Sequence, residues 1–201
     1  MNRSFSFYEF AGIIAPSVIF LFFLNLVIDK AKDFSLFDFS KIGESVIFIV
    51  IAYGVGHIIQ SFGNYAEKPV WWLLNGMPTE WITKQPRLWQ NLFKDKEKQL
   101  ILEKLQKDFG DSNALDYGRL AFTKVHVEGK TDRIETFNGN YSLFRGLLIC
   151  FLFLMIITIY LGYYDWFWLL LLLVIMSTLR MIHFGKCYAR EVYRTYFFLK
   201  N

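Results

Sequence analysis

Residues Gly146–Leu179 decide the fold, because GLLICFLFLMIITIYLGYYDWFWLLLLLVIMSTL contains a single charged residue, Asp165. A helix that crosses a bilayer needs about 20 predominantly apolar residues. The stretch is long enough for two such helices, and the turn Gly162-Tyr163-Tyr164-Asp165 separates them. We therefore predict a membrane-spanning hairpin with spans at Gly146–Tyr164 and Trp166–Leu179.

Two further apolar runs precede this hairpin, at Phe10–Ile28 and Val46–Phe62. Backbone groups in lipid must hydrogen-bond within their own segment, so each run is predicted to be a helix. The predicted fold is an all-α polytopic membrane protein with four transmembrane helices and a helical cytoplasmic insertion between spans two and three. The predicted domains are the first helix pair at 1–62, the insertion at 63–142, and the second transmembrane hairpin with a basic C-terminal tail at 143–201.

The composition supports this division. Of the 201 residues, 54% are hydrophobic and 20% are charged, whereas soluble domains have about 45–50% apolar and about 25% charged residues. The distribution argues against a simple soluble enzyme, a disulfide scaffold and a disordered chain. The stretch 63–142 contains 12 Lys and Arg against 11 Asp and Glu. This balance indicates a folded, solvated element rather than a polybasic tail.

The basic residues predict the orientation. The turn between spans three and four has none, whereas most Lys and Arg lie in the central stretch, at Arg145 or after Leu179. Basic loops stay on the cytoplasmic side. We therefore predict a multi-pass protein of the bacterial inner membrane with both termini cytoplasmic. Topology alone then explains the net charge of +4, and the sequence argues against direct nucleic-acid binding.

The second span carries a predicted intramembrane polar cluster of His57, Gln60 and Asn64, which are three and four residues apart. Polar groups in a membrane are candidates for a functional site because leaving them in lipid is costly. The alternative is a set of interhelical hydrogen bonds, helped by the close approach that Gly54 and Gly56 allow. The sequence favours this alternative.

Two further groups of polar residues are expected near the cytoplasmic surface. The cytoplasmic mouth comprises Asn138, Asn140, Tyr141, Arg145, Arg180 and His183. Arg145 is predicted to be a snorkelling anchor, or to line a vestibule with Arg180 and His183. The basic tail stripe comprises Lys186, Arg190 and Arg194. We expect the stripe to contact anionic lipid headgroups or to pack on the central helices.

The sequence does not predict an enzyme, a cofactor or a metal site. It contains no phosphate loop, no metal motif and no serine elbow. Arg119 and His126 are spaced somewhat as in HEPN-type ribonucleases, but Leu120 occupies a position that is usually polar in that family. A chance pairing of an arginine and a histidine on a charged helix explains them better.

Four segments together are similar to a known group of proteins. They are Tyr8-Glu9-Phe10, Tyr53-Gly54-Val55-Gly56-His57, Phe137–Gly146 (FNGNYSLFRG) and Tyr188–Phe197 (YAREVYRTYF). In arrangement, size and span count over the whole chain, the sequence resembles bacterial four-span inner-membrane proteins linked to phage defence. Within that group it resembles the small transmembrane accessory proteins of type VI-B CRISPR loci.

This resemblance implies a non-enzymatic accessory or effector protein of an antiviral system. It would modulate a cytoplasmic protein or nucleoprotein partner through the central element, or perturb the membrane as a homo-oligomer with His57, Gln60, Arg145 and Arg180 near the pathway. Membrane lipids are the other expected partners. A housekeeping membrane scaffold or assembly factor is the main alternative function, and a HEPN-like RNA-cleaving enzyme is another.

Overall fold

The computed structural model describes residues 8–32, 42–88, 91–111 and 113–199. About 85% of the chain is helical, and the described residues contain no strand. The all-helical prediction is therefore confirmed. The described part has six α-helices, and they are α1 Ala15–Lys32, α2 Ile42–Leu73, α3 Asp95–Phe109, α4 Ala114–Val127, α5 Asp132–Tyr160 and α6 Phe167–Phe198.

Four helical segments are long and apolar enough to cross a membrane, as predicted. They are Glu9–Asp29, Ser45–Ile82, Asp132–Tyr160 and Tyr164–Phe198, with mean hydropathies of 2.4, 1.8, 2.4 and 2.0 in their most apolar parts. The last three extend beyond the predicted spans because helical structure continues into the charged sequence on one side of each apolar run. Most of the loop between the first two spans, 33–41, lies outside the described residues.

The first span begins with a π-helix, Glu9–Ile14, and continues as α1. Pro16 lies at the second position of α1. Proline has no N–H, so it cannot donate to the carbonyl four residues earlier in a helix, which here belongs to Gly12. The Gly12 carbonyl therefore has no α-helical donor four residues ahead.

The chain contains two compact units. The first comprises the residues up to Ala66 together with Gly139–Met181. Its apolar contacts include Leu21 and Phe48, and a cluster of Ile59, Ile149 and Cys150. This unit therefore combines α1 with the most apolar parts of α2, α5 and α6.

The second unit comprises Glu67–Asn138 and Ile182–Asn201. Its buried side chains come from a short 3₁₀-helix at Pro78–Ile82, from α3 and α4, and from the end of α6. They include Trp81, Ile82, Ile101, Leu105, Ala121, Val125, Val192, Tyr193 and Tyr196. The units follow tertiary contacts, whereas the predicted domains follow hydropathy, and so the tail is grouped here with the central helices.

Candidate functional site

Gln60 lies at the centre of the polar contacts of the first unit and is 7% exposed. Its Nε2 donates to the Gly12 carbonyl, the one that Pro16 leaves without its usual helical donor. The same nitrogen donates to the Ser142 carbonyl at 3.1 Å. One amide group therefore connects the π-helix, α2 and α5, because backbone carbonyls away from water must find a donor.

Arg145 completes this contact from α5. Its Nη2 and Nε donate to Gln60 Oε1 at 2.7 and 3.2 Å, and its guanidinium lies over the Tyr141 ring at 5.4 Å from the centroid. The arginine is 9% exposed. The side chain therefore turns inward to α2 and differs from the snorkelling anchor that the sequence favours.

Three glycines allow the close packing of the helices around these groups. A Cβ at Gly56 would overlap the Ile13 carbonyl oxygen, and one at Gly63 would lie 3.1 Å from Arg145 Cγ. A Cβ at Gly146 would lie 2.8 Å from Pro16 Cγ and 3.0 Å from Gln60 Nε2. The helices approach closely because these positions have no side chain, which is a common property of membrane helix contacts.

The structure divides the predicted intramembrane polar cluster. Gln60 faces the interior of the first unit, whereas His57 and Asn64 are exposed on the outer side of α2. With spacings of three and four residues, Gln60 lies at one edge of the helix face that the three residues share. That edge is turned toward the interior of the unit, so Gln60 is buried whereas His57 and Asn64 are exposed. The partner of Gln60 is Arg145, which belongs to the predicted cytoplasmic mouth rather than to the predicted intramembrane cluster.

The predicted cytoplasmic mouth is also divided. Tyr141 and Arg145 are buried in the first unit, where Arg180 is exposed. Arg145 is thus enclosed by contacts with α2, whereas Arg180 lies at the surface. Asn138 and Asn140 are half-buried, and His183 is exposed with its Nε2 3.6 Å from Cys187 Sγ.

The basic tail stripe lies in the second unit, and each of its residues has a different environment. Lys186 is buried. Arg190 Nε donates to the Leu92 carbonyl at 3.2 Å, and Arg194 Nε pairs with Glu97 Oε1 at 3.2 Å. Arg190 and Arg194 therefore contact residues before and at the start of α3, while the Arg194 side chain stays exposed.

The end of α6 is bound by a lysine that no sequence pattern distinguishes from its neighbours. Lys104 Nζ donates to the carbonyls of Tyr196, Phe197 and Leu199 at 3.4, 3.0 and 2.8 Å. A cation at this position also interacts favourably with the negative end of the helix dipole. Partial burial lowers the pKa of Lys104 from its usual value.

Asp108 joins the same network. It accepts hydrogen bonds from Lys124 Nζ at 2.8 Å and from the Tyr196 hydroxyl at 2.7 Å. These two donors lower the pKa of Asp108, because they favour the charged carboxylate. The network thus joins α3, α4 and the tail. The periodicity of α3 alone could not reveal this network, since Lys104 and Asp108 belong to the charged side of that helix.

A groove of about 350 Å³ opens on the second unit. It is lined by residues of the α5 start and of the α6 tail, which are Lys130, Arg133, Glu191, Arg194, Thr195 and Phe198. Arg133 Nη1 pairs with Glu191 Oε1 at 3.3 Å. Three cations against one carboxylate give the groove a positive balance.

The alternative catalytic pair lies on α4. Arg119 and His126 are both exposed, and the His126 ring stacks on Phe122 with centroids 5.8 Å apart. Neither residue lines the groove. Within the described ranges, no group of His, Cys, Asp and Glu side chains could hold a metal ion.

The arrangement of the first unit is suited to holding helices together. The Gln60 amide is engaged at both ends, and Ser142 Oγ is the one buried side-chain polar atom without a partner among the described residues. No family model, no curated protein and no solved structure matches the chain.

Proposed function

We propose that the protein is a non-enzymatic accessory protein of an antiviral, CRISPR-type defence system in the bacterial inner membrane. The first unit anchors the chain in the bilayer, and the second unit acts from the cytoplasm on an anionic surface of a nucleoprotein partner. The observation that carries this proposal is the positively charged groove between the start of α5 and the α6 tail.

The charges of the groove suit an anionic partner. Arg133 and Arg194 each form an ion pair with a glutamate, but an arginine has five N–H donors and keeps the others for a ligand. Lys130 adds an exposed ammonium group from the turn before α5. Carboxylates and phosphates on a partner surface match this donor set.

The groove also has an apolar side. Phe198 is exposed at the end of α6 and lines the groove with Thr195. Arginine and aromatic side chains are enriched at protein interfaces, where an apolar centre is surrounded by polar groups. The groove therefore has the chemistry of a docking surface for a protein or nucleoprotein.

The test uses a phage-sensitive bacterial host that carries the gene of this chain together with its neighbouring genes, among which the proposal expects an effector nuclease. Reversing the groove charges with Lys130→Glu, Arg133→Glu and Arg194→Glu places like charges against an anionic partner. Because such contacts cost several kcal/mol, we expect phage protection to fall at least about tenfold at an unchanged level of membrane protein. Plaque counts measure the effect.

The matched control changes three lysines of the same unit outside the groove, with Lys94→Glu, Lys96→Glu and Lys107→Glu. All three are exposed, and this variant should protect like the native protein. Equal protection by both variants contradicts the proposal. A growth defect on deletion of the gene in the absence of phage, with no effect on protection, supports the housekeeping scaffold instead.

A further inference from the structure

Helix α2 carries a polar stripe on the outside of the first unit. The stripe consists of Gly54, His57, Ser61 and Asn64, and all four residues are exposed. Their spacing of three, four and three residues keeps them on one face of the helix. Earlier on the same helix the exposed residues are aliphatic and include Ile47 and Val50.

The stripe lies at membrane depth if α2 crosses the bilayer. Starting at Val46, about 20 residues of helix cover the roughly 30 Å hydrocarbon core and end near Tyr65. His57 and Ser61 then lie inside this core, and Asn64 lies at its edge. Lipid tails offer no hydrogen bonds, so polar side chains at this depth normally face protein.

The described part of the chain leaves this face uncovered. Ser61 Oγ donates to the His57 carbonyl of its own helix at 2.9 Å, and the His57 ring packs on Tyr53 of the same helix, with centroids 4.8 Å apart. The Asn64 side chain has no hydrogen bond within the described residues. A Cβ at Gly54 would meet no atom within 4 Å, so another helix has room to approach there.

We infer that the polar stripe of α2 is the contact surface between two parallel copies of this chain. In the membrane two copies share one orientation, so a two-fold axis along the membrane normal brings each stripe residue to the depth of its counterpart. Imidazole, hydroxyl and amide groups both donate and accept hydrogen bonds, so the stripe is complementary to itself. Gly54 allows the close backbone approach that such contacts use.

This inference does not rest on the proposed function, and its first test is cross-linking in native membranes. In a full-length background with Cys150→Ser and Cys187→Ser, Ser61→Cys places a thiol on the stripe. Leu179→Cys, exposed on α6, is the matched control. Oxidation should link Ser61→Cys into a dimer and leave Leu179→Cys monomeric. Equal linking of the two variants, or none at Ser61→Cys, overturns the inference.

The second test removes the hydrogen-bonding groups without making the span less apolar. The variant His57→Leu, Ser61→Leu and Asn64→Leu should shift the detergent-solubilised protein from dimer to monomer, with a dimer dissociation constant at least about tenfold higher. Light scattering measures the mass. Ile47→Leu with Val50→Leu is the control on the same helix and should leave the dimer intact. A native protein that is monomeric, or links Ser61→Cys only to another protein, refutes the self-association.

Discussion

Both units join their helices through polar donors that bind oxygen atoms of another helix, but the donors are buried in the first unit and half-buried in the second. In the first unit, Arg145 and Gln60 are buried and join α2 to α5. In the second, Lys104 lies at a half-buried position and donates to the last carbonyls of α6. Both contacts satisfy backbone or amide oxygens with a cationic or amide donor. The two contacts differ in how readily water can take the place of a hydrogen-bond partner that is lost.

This difference predicts unequal costs of disruption. A buried polar group that loses its partner carries the full desolvation penalty, of about 1–3 kcal/mol and more for a charged group. A half-buried group is partly rescued by water, and exposed ion pairs contribute only about 0–1 kcal/mol. The first unit should therefore be sensitive to single substitutions, whereas the second should loosen locally.

The largest effect is expected for Gln60→Leu. The change removes the acceptor of the Arg145 guanidinium and the donor to the Gly12 carbonyl. We expect a loss of about 3 kcal/mol in the free energy of unfolding, since removing one partner of a buried charged contact is strongly destabilising. Unfolding in mixed detergent micelles, followed by far-UV circular dichroism, measures it.

The matched control for Gln60→Leu is Ile58→Leu, which is exposed on the same helix and lies outside the polar stripe. It should change the unfolding free energy of the monomer by less than about 0.5 kcal/mol. If the two variants are equally stable, the buried contact is no more sensitive than the outer surface, and the contrast between the units disappears.

The sequence predicts the helical fold and the four spans because long apolar runs have few alternatives in a membrane. It also marks Gln60 as a polar residue within a span. It does not predict the partner, because the spacing rule relates residues of one helix and Arg145 lies on another. The available sequence signal was Pro16, because a proline in a span leaves the carbonyl four residues earlier, here that of Gly12, without its α-helical donor.

The second unit was harder to predict for a related reason. Lys104, Asp108 and Lys124 look like the solvated side of amphipathic helices, and periodicity alone does not distinguish a solvated lysine from one that binds the end of another helix. The sequence indicates that Tyr196 contributes apolar surface to the tail, whereas in the structure its hydroxyl donates a hydrogen bond to Asp108. Long-range contacts of this kind depend on tertiary structure, which a local pattern does not contain.

A smaller and more local effect is expected for Lys104→Met. This change keeps the apolar stem and removes the ammonium group from the Phe197 and Leu199 carbonyls. The cost should be about 1–2 kcal/mol, the range for hydrogen bonds to a charged group after partial exposure is considered. Hydrogen exchange at the end of α6 should accelerate about tenfold, while exchange in α5 around Arg145 stays unchanged. Lys107→Met, exposed on the same helix, should leave both rates as they are.

The smallest expected effect is a pH dependence confined to the second unit. Folding lowers the pKa of Asp108, because Lys124 and the Tyr196 hydroxyl donate to its carboxylate and Lys104 adds a favourable charge. A lowered carboxyl pKa contributes stability that is fully present above the unfolded value of about 3.9. The contribution is lost as the pH falls through the folded value.

Acidification below about pH 4 should therefore lower the hydrogen-exchange protection factors at the end of α6, which are corrected for the pH dependence of intrinsic amide exchange, and Asp108→Asn should remove this dependence. The Gln60–Arg145 contact provides the internal comparison, because an amide does not titrate and arginine stays protonated. The protection factors in α5 around Arg145 should thus remain constant over the same range. An equal acid response at the two sites would mean that the pH change acts on the whole protein rather than on the Asp108 network.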